Sequence, residues 1–210
     1  MSKSLIIFGG SGFIGRHICQ KALEKDYLVY SVSTHGKPDI NEQWVNHANM
    51  TWIASKIDQK ELWQSQLPTT AHYCMNLIGI LTPTKNKTYE NSIIKPNELI
   101  SHWAETHHIP YLFLSARFGP LGYIRAKKQA ECYLSTKQTP VTIVYSGLVV
   151  DQQLFVKRCQ ATVLKIGSNV PVLSHWCRKV YPIEVQKLAT HLLKITISTD
   201  KKSKLVDLTQ

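Results

Sequence analysis

The chain has 210 residues, a length that suits one domain burying roughly 70% of its unfolded surface. Its 43% hydrophobic and 19% charged residues are an ordinary globular composition. No apolar run approaches the ~20 residues of a membrane span, and the short N-terminal apolar run ends in glycines rather than in a signal-peptide layout. The net charge of +11 is uneven: residues 1–110 hold 10 Lys/Arg against 9 Asp/Glu, and residues 111–210 hold 15 against 5. Such a basic half serves solubility, or meets an anionic ligand, an acidic protein partner or an anionic membrane surface. No RNA- or DNA-binding motif accompanies the charge, so nucleic acid is not an expected partner. The 5 cysteines, at 19, 74, 132, 159 and 177, are odd in number and never close in sequence. They argue for reduced thiols in a cytoplasmic or other reducing compartment, and against a zinc site or a disulfide framework. The histidines show no ligand spacing either, so no metal is expected.

The first element is Leu5-Ile6-Ile7-Phe8, a short apolar strand. Gly9, Gly10, Gly12 and Gly15 follow, and then Ile14, Ile18, Ala22 and Leu23 recur at helical spacing. Strand, glycine turn and helix are the context that gives a Gly-x-Gly-x-x-Gly match its meaning, a dinucleotide-binding turn. Gly9 or Gly10 permits the tight turn, Gly12 lets a pyrophosphate approach the backbone, and Gly15 lets helix and strand pack closely. The backbone N–H groups around Phe13 and Ile14 open the helix and face the phosphates.

The helix spans about 13–25, and Tyr27 to Ser33 reads as strand two. In an NAD-selective site an acidic residue closes this strand and holds the ribose 2′-hydroxyl. Here Ser33, Thr34, His35 and Lys37 stand instead, a set better suited to a 2′-phosphate, so NADP(H) is expected over NAD(H). Arg16 in the first helical turn is a second phosphate partner. A polar loop with one short helical piece covers 38–50. Met50 to Ala54 is strand three, with Lys56 and Ile57 just beyond it as candidate cofactor-binding residues. A short helix spans Gln59 to Leu67. Strand four, His72 to Ile78, leads into Leu77 and Gly79, where small or apolar residues let backbone lie beside ribose and nicotinamide. A helix from about Tyr89 to Thr106 contains Pro96, which predicts a kink or a late start. His107 and His108 read as its solvated end.

Tyr111 to Leu114 is strand five. After it come Ser115, Arg117, and then Tyr123 and Lys127, four apart and so on one helical face. A nearby ammonium favours phenolate and lowers a tyrosine from its usual value of about 10. Tyr123 is therefore a candidate general acid or base. Val141 to Val150 reads as strand six. The tail holds a helix near 152–165, an irregular Gly/Pro segment, a helix from about 183 to 194 and a last strand at Lys204 to Leu208. A basic cluster, Lys157, Arg158, Lys165, Arg178 and Lys179, is the candidate docking face. Alternating strands and helices imply a parallel sheet covered on both faces.

On these residues the chain resembles the short-chain dehydrogenase/reductase superfamily, in its extended or atypical NAD-dependent epimerase/dehydratase-like branch. The carrying residues are Gly9, Gly12 and Gly15, Asn91, Leu114-Ser115, and Tyr123-x-x-x-Lys127 followed by Ala130-Glu131. Within that branch FGGSGFIG, SVSTHGK and LGYIRAKKQAE are similar to the fungal mitochondrial dehydrogenase-like proteins of coenzyme Q biosynthesis. The NADPH-binding accessory subunits of respiratory complex I are more distant. The resemblance implies bound NADP(H), a catalytic set of Tyr123, Lys127 and Ser115 or Arg117, and a role near quinone metabolism. It also brings the mitochondrial matrix and peripheral membrane association into view. Three departures stand out: Arg117 occupies the family's catalytic Ser/Thr place, only seven residues separate Ser115 from Tyr123, and Tyr145-Ser146-Gly147 replaces Arg-Pro-Gly while Lys56 replaces an Asp.

The expected fold is an α/β, doubly wound, mainly parallel Rossmann sheet in three layers. It forms a single NAD(P)-binding domain over 1–210 with strand order 3-2-1-4-5-6, a short C-terminal strand, and a substrate- or partner-facing part at about 146–210. Two functions remain open. One is an NADP(H)-dependent oxidoreductase acting on a small carbonyl or alcohol substrate. The other is a nucleotide-binding accessory protein that docks on a membrane or protein through its basic half.

Overall fold

Strand β1 (Ser4–Phe8) is buried along its whole length and pairs on both sides with parallel strands. The computed structural model describes residues 3–151, 183–197 and 203–209. Around β1 lie β2 (Leu28–Ser33), β3 (Met50–Ala54), β4 (Tyr73–Asn76), β5 (Tyr111–Ala116), β6 (Val141–Ser146) and, after a two-stranded pair, β9 (Lys204–Asp207). They form one seven-stranded sheet in the order β3-β2-β1-β4-β5-β6-β9, every neighbouring pair parallel. This is the Rossmann order the sequence predicts, with the last strand at the edge. Chain direction from β1 reverses between β2 and β4, which opens a crevice at the carboxyl ends of these strands.

Alternate residues of each strand feed two cores. Ile6, Phe8, Tyr111 and Phe113 pack under α2 (Lys60–Gln64), α3 (Lys95–Thr106) and α4 (Leu121–Leu134). Leu5, Ile7, Leu112 and Leu114 pack against α1 (Phe13–Leu23) and α5 (Val185–Ile197). On the first face Trp63 is fully buried between Phe8 and Trp103, edge-on at 5.1 and 5.7 Å. Such aromatic pairs add about 0.5–1.5 kcal/mol beyond area burial.

Two elements differ from the sequence reading. The expected long strand six stops at Ser146, and Val149–Val150 (β7) pairs instead with Ile183–Glu184 (β8) in a separate small sheet. Gly147 interrupts the apolar run, and a glycine inside a strand weakens it. The helix before β5 neither starts late nor stays regular: it begins at the expected place as a π-helical segment, Glu90–Ile94, which runs on into α3, with Pro96 in the first turn of α3. The short helical piece in the 38–50 loop is a 3₁₀ turn, Gln43–Asn46. The helix near 152–165, the Gly/Pro segment, Cys159, Cys177 and the cluster Lys157, Arg158, Lys165, Arg178 and Lys179 lie outside the described residues. Among the described residues no helix is long and apolar enough to cross a membrane. There, Cys19, Cys74 and Cys132 are free thiols, the first two buried, and burial pushes those two thiols well up.

Candidate active site and dinucleotide cleft

The glycine loop is built by three backbone constraints. Gly9 has φ +90°, a conformation that L side chains rarely adopt, and a Cβ there would lie 3.3 Å from Leu77 C and Ile78 N after β4. Its N–H donates to Val32 O of β2 at 2.8 Å. Gly15 lies so close to the turn that a Cβ there would stand 2.2 Å from Gly9 O and 2.6 Å from Gly10 Cα. Gly12 is the N-cap of α1, with extended backbone (φ −74°, ψ 176°) and no side-chain cap. A Cβ on Gly12 would meet only Gly9 O, at 3.2 Å. The loop thus leaves an open cradle over uncapped N–H groups at Phe13 and Ile14, which fits a pyrophosphate.

On the β2 side, Ser33 Oγ accepts from Ser11 N–H at 3.2 Å and ties the strand end to the glycine loop. Thr34 and His35 are exposed in the following turn. Lys37 Nζ donates to Asn46 Oδ1 at 2.6 Å, so its ammonium points to the 3₁₀ turn. The Arg16 guanidinium sits 5.9 Å from the Phe13 ring centre. Lys56 is exposed and its N–H donates to Gln59 Oε1. Ile57 packs on the core and its carbonyl accepts from Trp63 Nε1. On the other side, Leu77 N–H donates to Phe8 O at 2.9 Å, carrying the chain past the glycine loop to Gly79. A Cβ on Gly79 would lie 3.8 Å from Lys127 Nζ. The glycine loop, Leu77, Gly79 and Lys127 therefore share one crevice.

Lys127 is 5% exposed. Its Nζ donates to Leu114 O at 2.7 Å and lies 4.4 Å from the Phe113 ring centre and 5.7 Å from that of Tyr123. Burial pulls its pKa down to about 7, opposed by the Glu131 carboxylate one turn on. Tyr123 stands one turn before Lys127, its ring 6.4 Å from Tyr89 and against Gly119. Its pKa is raised, first by burial and then by Tyr89. This corrects the expected lowering: desolvation of the phenolate outweighs an amine that is itself poorly charged. Tyr123 at neutral pH is a phenol, able to donate a proton.

The end of β5 is arranged differently from the expected catalytic hydroxyl. Ser115 is buried and its Oγ donates to Glu131 Oε1 in a short hydrogen bond. Glu131 Oε2 also accepts from Tyr145 Oη at 2.7 Å. Burial and the Glu131 carboxylate push Tyr145 up to about 12. Arg117 Nε bonds Asp207 Oδ2 at 3.0 Å, and its guanidinium lies 3.7 Å over the Tyr145 ring. Asn91, matched by resemblance to a helix residue of the site, bonds Thr88, Ser92 and Asn86 and braces the loop before α3. Glu131 and Asp207 were not singled out as site residues. Glu131 sits eight residues after Tyr123 on the same helix face, a spacing that marks it. Asp207 carries no local signal.

Residues 5–136 match the NAD dependent epimerase/dehydratase family. The chain belongs to this family. Among curated proteins, this epimerase/dehydratase chain is 36% identical over 100 residues to MIOREX complex component 2 of Saccharomyces cerevisiae; the match covers 45% of the chain and 34% of the yeast protein. The chain thus spans about a third of that relative. Among solved structures it is similar to the Bordetella bronchiseptica enzyme WbmG in complex with NAD, with TM-score 0.72, 10% identity, and 99% and 73% of the two chains covered. It is also similar to the oxidoreductase ylbE of Lactococcus lactis, with TM-score 0.69, 13% identity, and 97% and 89% covered. At these identities the likeness to solved structures carries the fold.

Proposed function

We propose that the chain is an NADP(H)-binding oxidoreductase of the short-chain dehydrogenase/reductase type, moving a hydride between the dinucleotide and a carbonyl or alcohol. The observation that carries this reading is the convergence of the open glycine cradle, Gly79 and the Tyr123–Lys127 pair on one crevice. When bound, the dinucleotide would supply hydride chemistry at its nicotinamide. Phe13 and Ile14 N–H would hold the pyrophosphate. Lys127 Nζ, already anchored on Leu114 O, would hold a ribose hydroxyl. Tyr123 would give a proton to, or take one from, the substrate oxygen, and its raised pKa keeps it a phenol at neutral pH. The preference for NADP(H) rests on the absence of an acid at Ser33 to Lys37. Lys37 would exchange Asn46 for a 2′-phosphate.

A second reading is favoured by one observation: Ser115 is committed to Glu131 and Arg117 to Asp207. Ser115 has no proton left for an oxyanion and Arg117 is turned onto Tyr145 and Asp207, and loss of one such donor typically costs about a hundred- to a thousandfold in rate. On that reading the chain binds the nucleotide without turnover and docks on a membrane or protein through its basic half. Membership of a larger assembly, as the yeast relative's name states of that protein, belongs here, and a link to quinone metabolism belongs to either reading. Titration with NADPH and with NADH tests the shared part. Carbonyl reduction by the wild type, lost in Tyr123→Phe with NADPH binding intact, selects the enzyme. Tight NADPH binding with no turnover on any carbonyl, quinones included, selects the accessory.

A further inference from the structure

Three neighbouring strands place Ser115, Tyr145 and Asp207 in one row at the carboxyl edge of the sheet, through the pairs Ser115↔Tyr145 and Tyr145↔Asp207. Side chains link this row into a continuous chain. Ser115 donates to Glu131, and Tyr145 donates to the other oxygen of the same carboxylate. The Tyr145 ring, so fixed, carries the Arg117 guanidinium 3.7 Å above it. Asp207 Oδ2 takes Arg117 Nε, while Asp207 Oδ1 accepts from Thr209 N at 2.9 Å and Thr209 Oγ1 at 2.5 Å. Glu131, Tyr145 and Asp207 are each held from two sides, and what they hold is one guanidinium.

That guanidinium is only partly used. Of its five N–H donors only Nε has a hydrogen-bond partner among the described residues, and the Arg117 side chain is 47% exposed. A bidentate fork on Asp207 would have consumed the pair; the single Nε contact leaves the terminal amino groups without a hydrogen-bond partner among the described residues. Two residues further on, Gly119 abuts the Tyr123 ring, so Arg117 and Tyr123 flank one loop. A fixed guanidinium with spare parallel N–H groups matches the planar geometry of a carboxylate.

The geometry points to Arg117 as the anchor for a carboxylate on the compound that faces Tyr123, so that this protein selects anionic over neutral carbonyl substrates. This rests on the oxidoreductase reading of the Tyr123 site. Arg117 here replaces an oxyanion donor with a specificity-determining contact.

The test compares phenylglyoxylate and 4-acetylbenzoate with their methyl esters, which keep the carbonyl and remove the charge. Binding is measured by calorimetry on NADPH-free and NADPH-saturated protein, and turnover by NADPH absorbance. The acid is expected to bind better than its ester by about tenfold to a hundredfold, the contribution of hydrogen bonds to a charged group. Arg117→Met is expected to bring the ratio near one. Acid and ester binding equally, neither acid binding at millimolar concentration, or an unchanged ratio in Arg117→Met overturns the inference. A purely structural Arg117 would lower the melting temperature of Arg117→Met and leave the ratio alone. If NADPH fails to bind, the oxidoreductase reading fails, while the ratio on NADPH-free protein still decides the role of Arg117.

Discussion

Gly12 and Gly15 stand three residues apart in one motif, yet alanine at each position should break a different property. At Gly15 a methyl group would lie 2.2 Å from Gly9 O and 2.6 Å from Gly10 Cα. Both are backbone atoms of a turn pinned to β2 and β4, so no side chain can swing away to relieve the clash. Overpacking of this kind costs about 1–3 kcal/mol, with the upper end fitting a backbone clash. In a chain of this size each kcal/mol corresponds to about 2–4 °C, so Gly15→Ala should lower the melting temperature by roughly 5–10 °C. At Gly12 the backbone is extended and the methyl would meet only Gly9 O at 3.2 Å. The cost to the fold should stay below about 1 kcal/mol. The methyl would instead fill the cradle over the α1 N-terminus, and losing even one charge-assisted contact to the pyrophosphate, about 1.5–3 kcal/mol, weakens NADPH at least about tenfold. Thermal melts and fluorescence titration on both variants separate the two effects. Wild-type NADPH affinity in Gly12→Ala, or a wild-type melt in Gly15→Ala, would refute this reasoning.

Lys127 has a folded pKa of about 7 against an ordinary 10.5, so between these values the unfolded chain binds more protons and stability rises with pH. Lys127→Met should therefore raise the melting temperature at pH 6–7, by an amount worth roughly 5 kcal/mol at most, and the gain should shrink as pH approaches 10; a pH-independent gain contradicts the buried amine. Ser115→Ala should cost about 1 kcal/mol of stability by removing one donor from Glu131 while leaving any turnover within a few-fold; a hundredfold loss in rate would make Ser115 the oxyanion donor after all. Ser33→Asp should weaken NADPH at least about tenfold, through repulsion of the 2′-phosphate, and spare NADH; equal losses for both cofactors would point to the Ser11 hydrogen bond instead.

The sheet was legible because its signals are local. Leu5 to Phe8, Met50 to Ala54 and Tyr111 to Leu114 are apolar runs bounded by polar or turn residues, and each became a buried or half-buried parallel strand. Glycine spacing in the right context gave the cleft, and the four-residue spacing of Tyr123 and Lys127 put both on one face of α4. What the sequence hid depends on distant partners. Asp207 pairs with Arg117 across 90 positions, and nothing near either residue announces the other. Tyr123 appeared from spacing alone to gain from a nearby charge, but burial of both groups reverses the sign. Pro96 marked the place of an irregularity in this helix, but not its form, a π-helical segment over Glu90–Ile94.

Equilibrium titration of the intact chain with NADPH and, in parallel, NADH would probe the glycine cradle and the acid-free end of β2 together. Saturable NADPH binding, at least about tenfold tighter than NADH and weakened in Gly12→Ala, is the predicted result. Binding of neither nucleotide, or a preference for NADH, would contradict it.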